Sequence, residues 1–178
     1  NSAVGIALVR DRKIVWGNLK LATLLKLSAE ALPGYSLSQC YATPEDYDRF
    51  GRECYPVLAS GTPYIVEMPI MAADETIFWA RISGQAINPD APLDASIWVV
   101  EDISERKQME QRSRQMLDIF EASPDFVGIA STDGKAVYLN PAGRALIGMS
   151  KEADITSMDI GEFFPDWANK LNQEEIIP

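Results

Sequence analysis

The chain has 178 residues, of which 47% are hydrophobic and 24% are charged. This length and composition are typical of one globular domain, or of one domain and part of another. The 26 acidic and 16 basic residues give a formal net charge of −10. Such a charge repels phosphate groups, so we expect neither nucleic acid nor a membrane surface as a partner.

Histidine is absent from the sequence. Its absence excludes Ser-His-Asp and Cys-His catalytic sites, zinc held by His, and haem held by a proximal His. No metal site and no acid–base pair stands out, so we expect this chain not to be an enzyme. Cys40 and Cys54 lack the spacing of a metal knuckle. We expect both to be free, buried thiols in a reducing compartment.

The apolar runs are too short to cross a bilayer, since the longest reach only about six residues. We therefore predict a cytoplasmic segment without a transmembrane span. Because the chain begins with Asn1 rather than Met, we expect a fragment of a longer protein. Membrane anchoring of that parent protein stays open.

In chain order, the first predicted element is a hairpin formed by Val4–Val9 and Lys13–Trp16. Asn18 then stands at the N-cap position of a helix. A second helix begins with Thr43 as its cap and Pro44 in its first turn. Three strands are predicted after it, at 64–71, 76–87 and 96–100. This order predicts an α+β domain in which a five-stranded antiparallel sheet carries helices on one face.

The strands at 64–71 and 76–87 alternate apolar and polar side chains, so their inward face can be predicted. It carries Met68, Ile70, Phe78, Ala80 and Ile82. A tight turn between these strands places Glu67 opposite Arg81 on the outer face, and we predict a cross-strand ion pair between them.

A linker helix is predicted after the last strand. Asp102 and Glu105 have the spacing of a capping box, and no Gly or Pro follows before Ser123 and Pro124. Met109 and Met116 belong to a partial apolar stripe along this helix.

The beginning of the chain is repeated after this helix. Val4–Ala7 returns as Val127–Ala130, and Asn18 returns as Asn140. The repeat has a period of about 122 residues, one domain with its linker. The second copy stops before any counterpart of the last three strands.

Three segments carry a family resemblance: Leu32–Ser36, Thr76–Gly84 and, above all, the run Trp98–Lys107. The last is similar to the Asp-Ile-Thr-Glu-Arg-Lys sequence with which bacterial PAS domains pass into a signalling helix. The chain thus resembles a tandem PAS region, or sensory box. The resemblance implies a PAS domain at 1–103, a signalling helix at 104–122 and the N-terminal part of a second PAS domain at 123–178.

The resemblance also implies where a small-molecule ligand would bind, between the sheet and the helices. The candidate pocket residues are Met68, Ile70, Phe78, Ala80, Ile82 and Trp98. The alternative is that these side chains only fill the core. Trp98 would occupy the space of a flavin, because flavin-binding relatives carry a smaller residue there.

The identity of a cofactor stays unknown. Light-sensing relatives place a reactive Cys three residues after the Gly that corresponds to Gly34, and this chain has Leu37 at that position. Cys40 comes three residues late, so no flavin photoadduct is expected.

Two further groups of residues follow from the resemblance. Signal-relay candidates are Asp102, Ser104 and Glu105, with an ordinary helix cap as the alternative. Candidates for a dimer or outer-face contact are Trp79, Arg81, Met109 and Met116, with coverage of Trp79 by the chain's own terminal segment as the alternative.

Tandem PAS regions with this exit sequence resemble those of GGDEF and GGDEF-EAL proteins, the diguanylate cyclases and phosphodiesterases of cyclic di-GMP. They also occur in the sensor histidine kinases of two-component systems. We predict a homodimeric sensory module that passes its signal to an output domain outside this chain. The alternative is a ligand-free PAS module that acts only in dimerisation.

Overall fold

The computed structural model describes residues 3–155, 158–159 and 161. The chain divides into two compact units, Asn1–Met109 and Glu110–Pro178. The first unit contains the complete sheet and most of the buried core. The second repeats the first elements of the first unit.

Five strands form the sheet of the first unit, and all neighbouring strands are antiparallel, in the order β2-β1-β5-β4-β3. They are β1 (Gly5–Arg10), β2 (Lys13–Gly17), β3 (Tyr64–Met71), β4 (Ile77–Ala86) and β5 (Ser96–Asp102). The predicted fold class is confirmed. Pro69 lies inside β3, which tolerates it because β3 is an edge strand.

The helices of this unit pack against the inner face of the sheet. They are α1 (Leu19–Leu25) and α2 (Pro44–Ala59), with two short 3-10 turns at Ala29–Ala31 and Leu37–Cys40. Thr43 caps α2 as predicted, because its hydroxyl accepts the Asp46 N–H at 3.2 Å. Cys40 and Cys54 are free and buried, as expected.

Asn18 joins three segments of the first unit. Its Oδ1 accepts the Ile6 N–H and the Leu21 N–H, each at 2.9 Å, and its Nδ2 donates to the Val4 carbonyl at 3.0 Å. The predicted N-cap is therefore confirmed, and the same side chain also ties the start of β1 to the end of β2.

We expect Asn18→Ala to lower the free energy of unfolding by about 2 kcal/mol, because the cap and the bonds to β1 are lost together. Asn18→Asp is the matched variant, since it keeps both accepted bonds and loses only the donor to Val4. Urea denaturation followed by circular dichroism measures both. Equal losses for the two variants would show that the cap contributes nothing of its own.

The register of β3 and β4 agrees with the prediction, whereas the predicted ion pair across them is wrong. Glu67 lies opposite Arg81. Its carboxylate instead binds Arg106 and Lys107, each at 2.7 Å. Arg106 and Lys107 reach Glu67 because the first turn of the next helix passes over this end of the sheet.

That helix, α3 (Ser104–Ala122), begins later than the capping-box pattern predicted. Asp102 is the last residue of β5, and its Oδ1 accepts the Ser104 N–H at 2.9 Å. Glu105 consequently stands at the second helical position, one short of the position a capping box needs. Asp102 is therefore part of β5 and at the same time accepts a hydrogen bond from the first N–H of the helix.

The second unit repeats the opening hairpin and helix as β6 (Gly128–Ala130), β7 (Ala136–Leu139) and α4 (Pro141–Leu146). Asn140 caps α4 through the Gly143 N–H at 2.8 Å. Its Oδ1 also accepts the Val127 N–H at 3.0 Å, as Asn18 does with Ile6. Residues 162–178 of the predicted second PAS domain lie outside the described residues.

Within the part of the chain that the structure describes, no helix has both the length and the apolarity needed to cross a bilayer.

Candidate functional site

A cavity of about 60 Å³ lies between the sheet and the helices of the first unit. Every strand of the sheet, both helices and the second 3-10 turn contribute to its wall. The lining residues are Ala7, Val9, Ile14, Leu21, Leu25, Leu37, Cys40, Tyr41, Phe50, Ile70, Ile82, Trp98 and Val100. No charged side chain is among them.

The six pocket candidates all lie on the inner face of the sheet or against the core, but they divide into two groups. Ile70, Ile82 and Trp98 line the cavity. Met68, Phe78 and Ala80 do not, although Ala80 is fully buried and the other two pack against the core. Met68 borders a neighbouring cleft of about 140 Å³.

Trp98 determines how much of the inner face stays open. Its side chain is 6% exposed, and its ring lies on Gly84, its partner across β4 and β5. A Cβ atom at Gly84 would overlap that ring. The indole Nε1 donates to Ser96 Oγ at 2.8 Å, and the Phe50 ring lies 5.7 Å away between centroids. The ring thus occupies part of the space between the sheet and the helices.

We expect Gly84→Ala to lower the free energy of unfolding by about 2 kcal/mol, because the ring of Trp98 must move to admit a methyl group. Ser83→Ala, one residue earlier on the other face of β4, is the control and should change it by less than about 0.5 kcal/mol. Urea denaturation gives both values. A Gly84→Ala variant as stable as the control would mean that the ring and the strand are not in firm contact.

Much of the cavity wall was missed by the sequence reasoning. Leu21 and Leu25 come from α1, Leu37 and Cys40 from a 3-10 turn, and Phe50 from α2. Leu21 and Leu25 are four residues apart on α1 and share its buried face. Nothing in the spacing indicated that this face borders the cavity rather than solid core.

Burial controls the chemistry of the polar groups at the cavity. Desolvation raises the pKa of the Cys40 thiol to about 12 and raises that of the Tyr41 hydroxyl as well. A thiol with so high a pKa stays protonated at neutral pH and is a poor nucleophile. Leu37, at the position of the reactive Cys of light-sensing relatives, also lines the cavity.

This cavity does not fit a large cofactor. Pockets that hold drug-sized ligands measure about 300–1,000 Å³, several times the volume of this cavity. Among the described residues, no group of three or more His, Cys, Asp or Glu side chains could hold a metal ion. The arrangement suits a small, uncharged molecule, because an unpaired charge would be strongly disfavoured there.

The relay candidates lie where β5 passes into α3. Asp102 and Ser104 are bonded to each other as described above, and Ser104 Oγ also accepts the Trp79 N–H at 3.0 Å. Glu105 is exposed on the first turn of α3. The structure therefore brings Asp102 and Ser104 together with β4 and leaves Glu105 in solvent.

The outer-face candidates are exposed, but not all in the same way. Arg81, Met109 and Met116 are exposed. Trp79 is 40% exposed, and the Lys107 ammonium lies 5.2 Å from the centre of its ring. The beginning of α3 therefore contacts Trp79, in keeping with the alternative of coverage by the chain's own terminal segment.

Comparison with known proteins agrees with this architecture. A family model described as a PAS domain matches residues 3–105 and again residues 124–177. Fold and matches together define the class as sensory domains of bacterial signal-transduction proteins. Within that class, the chain belongs to the PAS domain family. PAS domains are sensory and non-catalytic.

Three relatives illustrate the similarity. Sensor protein TdiS of Thauera aromatica is 28% identical over 110 residues, which are 62% of this chain and 20% of TdiS. The PAS domain of a LuxR-family transcriptional regulator from Burkholderia thailandensis, solved in complex with ethanol, is 30% identical, with a TM-score of 0.55 over 58% of this chain and 91% of that chain. A PAS domain from Colwellia psychrerythraea shares the fold, with 18% identity and a TM-score of 0.53 over 59% of this chain and 90% of that chain.

Proposed function

We propose that the first PAS domain, residues 1–103, is a sensor whose core cavity binds a small uncharged molecule. The observation that carries the proposal is the apolar cavity between the sheet and the helices. The LuxR-family PAS domain, which is 30% identical and was solved with ethanol, supports a ligand of this class.

The size of the cavity limits the ligand. A single water needs about 10–15 Å³ of such volume, so about 60 Å³ suits a molecule of roughly four to six non-hydrogen atoms at most. Short alcohols have this size. The wall around such a molecule is almost wholly apolar.

Binding is proposed to be relayed through the signalling helix, residues 104–122. Val100 lines the cavity and Asp102, two residues later, binds the first N–H of α3. A ligand that prefers one arrangement of β5 would therefore bias the start of this helix, with a coupling of ~1–3 kcal/mol as is usual for such devices. Asp102, Ser104 and Glu105 are the proposed relay residues.

The output domain is proposed to lie outside this chain. Our first proposal is a GGDEF or GGDEF-EAL domain that makes or degrades cyclic di-GMP, and the alternative is a histidine kinase. The names of the relatives, a sensor protein and a transcriptional regulator, support signal transduction without favouring cyclic di-GMP. We propose a cytoplasmic location for this sensory region, with membrane anchoring of a longer parent left open.

Ethanol is the probe that tests the cavity. We expect a titration to shift the methyl NMR signals of Ile70, Ile82 and Val100, which line the cavity, more than those of surface residues. Ala7→Val adds two methyl groups to the wall and should weaken ethanol binding about tenfold, because little space remains.

Ala31→Val is the matched control, since Ala31 is exposed and lies away from the cavity wall. This variant should bind ethanol like the unchanged chain. Shifts confined to surface methyl groups, or equal binding by both variants, would contradict the proposal.

A second candidate function is dimerisation without a ligand. It is favoured by α3, none of whose residues is buried in the chain. Its exposed apolar side chains include Met109, Met116, Leu117 and Ile119. Met109 and Met116 are seven residues apart, so they lie on one face of the helix as in a coiled-coil seam. A homodimer that pairs these helices is compatible with sensing as well.

We expect Met116→Lys to shift the chain from dimer towards monomer in sedimentation experiments, because a charge would be placed in the apolar seam. Gln115→Lys introduces the same charge at the neighbouring position and should leave the assembly unchanged. A chain that is monomeric at all concentrations would contradict the dimer proposal and leave the sensory one standing.

A further inference from the structure

Two hydrogen bonds and a set of charged contacts attach the beginning of α3 to the sheet. The Ile103 N–H donates to the Trp79 carbonyl at 2.8 Å, and Ser104 Oγ accepts the Trp79 N–H at 3.0 Å. Both bonds go to Trp79, the third residue of β4, and hold the start of the helix to that end of the strand. No residue of α3 itself is buried, so contacts of its first turn must determine its position on the sheet.

The charged contacts centre on Glu67. Its Oε1 accepts a hydrogen bond from Arg106 Nη2, and its Oε2 accepts one from Lys107 Nζ, both at 2.7 Å. The two oxygens thus hold two successive residues of the helix from a neighbouring strand, β3. The hydrogen bond from Lys107, followed by that from Arg106, lowers the pKa of the Glu67 carboxyl group, so it is charged at neutral pH.

Trp79 extends this arrangement to β4. The Lys107 ammonium lies 5.2 Å from the centre of the Trp79 ring, within the distance of a cation–π interaction. Lys107 is therefore held between the carboxylate of β3 and the indole of β4. Charge-assisted bonds of this kind are directional as well as attractive, so they favour one placement of the first turn.

The strands that hold α3 are also strands that line the cavity. On β3, Ile70 lines the cavity three residues after Glu67, and on β4, Ile82 lines it three residues after Trp79. An odd spacing places the two members of each pair on opposite faces of the strand. A shift of either strand at the cavity is therefore also a shift at the helix.

We propose that Glu67 is a positioning residue for α3, holding the first turn against β3 through Arg106 and Lys107. The inference concerns the chain without a ligand and therefore does not rest on ethanol binding. A carboxylate on the outer face of the sheet thus positions the helix. This is the helix that the proposed sensory function would move.

Amide hydrogen exchange of the chain, followed by mass spectrometry, tests this proposal. In Glu67→Gln, we expect exchange of the segment 104–109 to become roughly threefold faster, as the loss of two exposed ion pairs predicts. Exchange in β1 and β5 should stay unchanged. Glu101→Gln is the matched control, because it removes the same charge from β5 and Glu101 is in none of the ion pairs of the described residues.

Ionic strength provides a second measurement, which needs no further variant. Raising the salt to about 1 M shortens the Debye length to about 3 Å, which should speed exchange of 104–109 in the unchanged chain towards that of Glu67→Gln. In Glu67→Gln, the exchange of 104–109 should change little when salt is added. Equal exchange in Glu67→Gln and Glu101→Gln, or acceleration that extends into β1 and β5, would overturn a positioning role for Glu67.

Discussion

The contact between the Trp98 ring and Gly84 is the constraint on which the site depends. Only glycine lets the ring lie flat on β4, and the ring in turn takes up much of the inner face. What remains is a small apolar cavity. The small volume of the cavity and the closeness of Phe50 to the ring both follow from this packing.

The two faces of the sheet have different tasks. The inner face encloses the core and the cavity, while the outer face carries the charges and the indole that receive α3. Side-chain alternation along β3 and β4 separates these tasks by a single residue step. The cavity and the beginning of α3 are thus joined without a long chain of contacts, because β3 and β4 contribute to both.

Sequence reasoning was successful where local rules decide the outcome. The alternation of β3 and the cap at Asn18 were predicted correctly, since both depend on neighbouring residues. It failed for Glu67, because the register with Arg81 was right but α3 supplies two cations from far along the chain. Most of the cavity wall was missed for a similar reason, since whether a buried helical face borders a void is decided by packing among several elements.

The position of Trp98 gives the protein an internal optical reporter. Of the three described tryptophans, Trp98 is buried beside the cavity, whereas Trp16 and Trp79 are 54% and 40% exposed. An indole in apolar surroundings emits at shorter wavelength than one in water, so of these three residues the one beside the cavity contributes most to the blue side of the emission band. A change in the packing around the cavity can therefore be followed without attaching any dye.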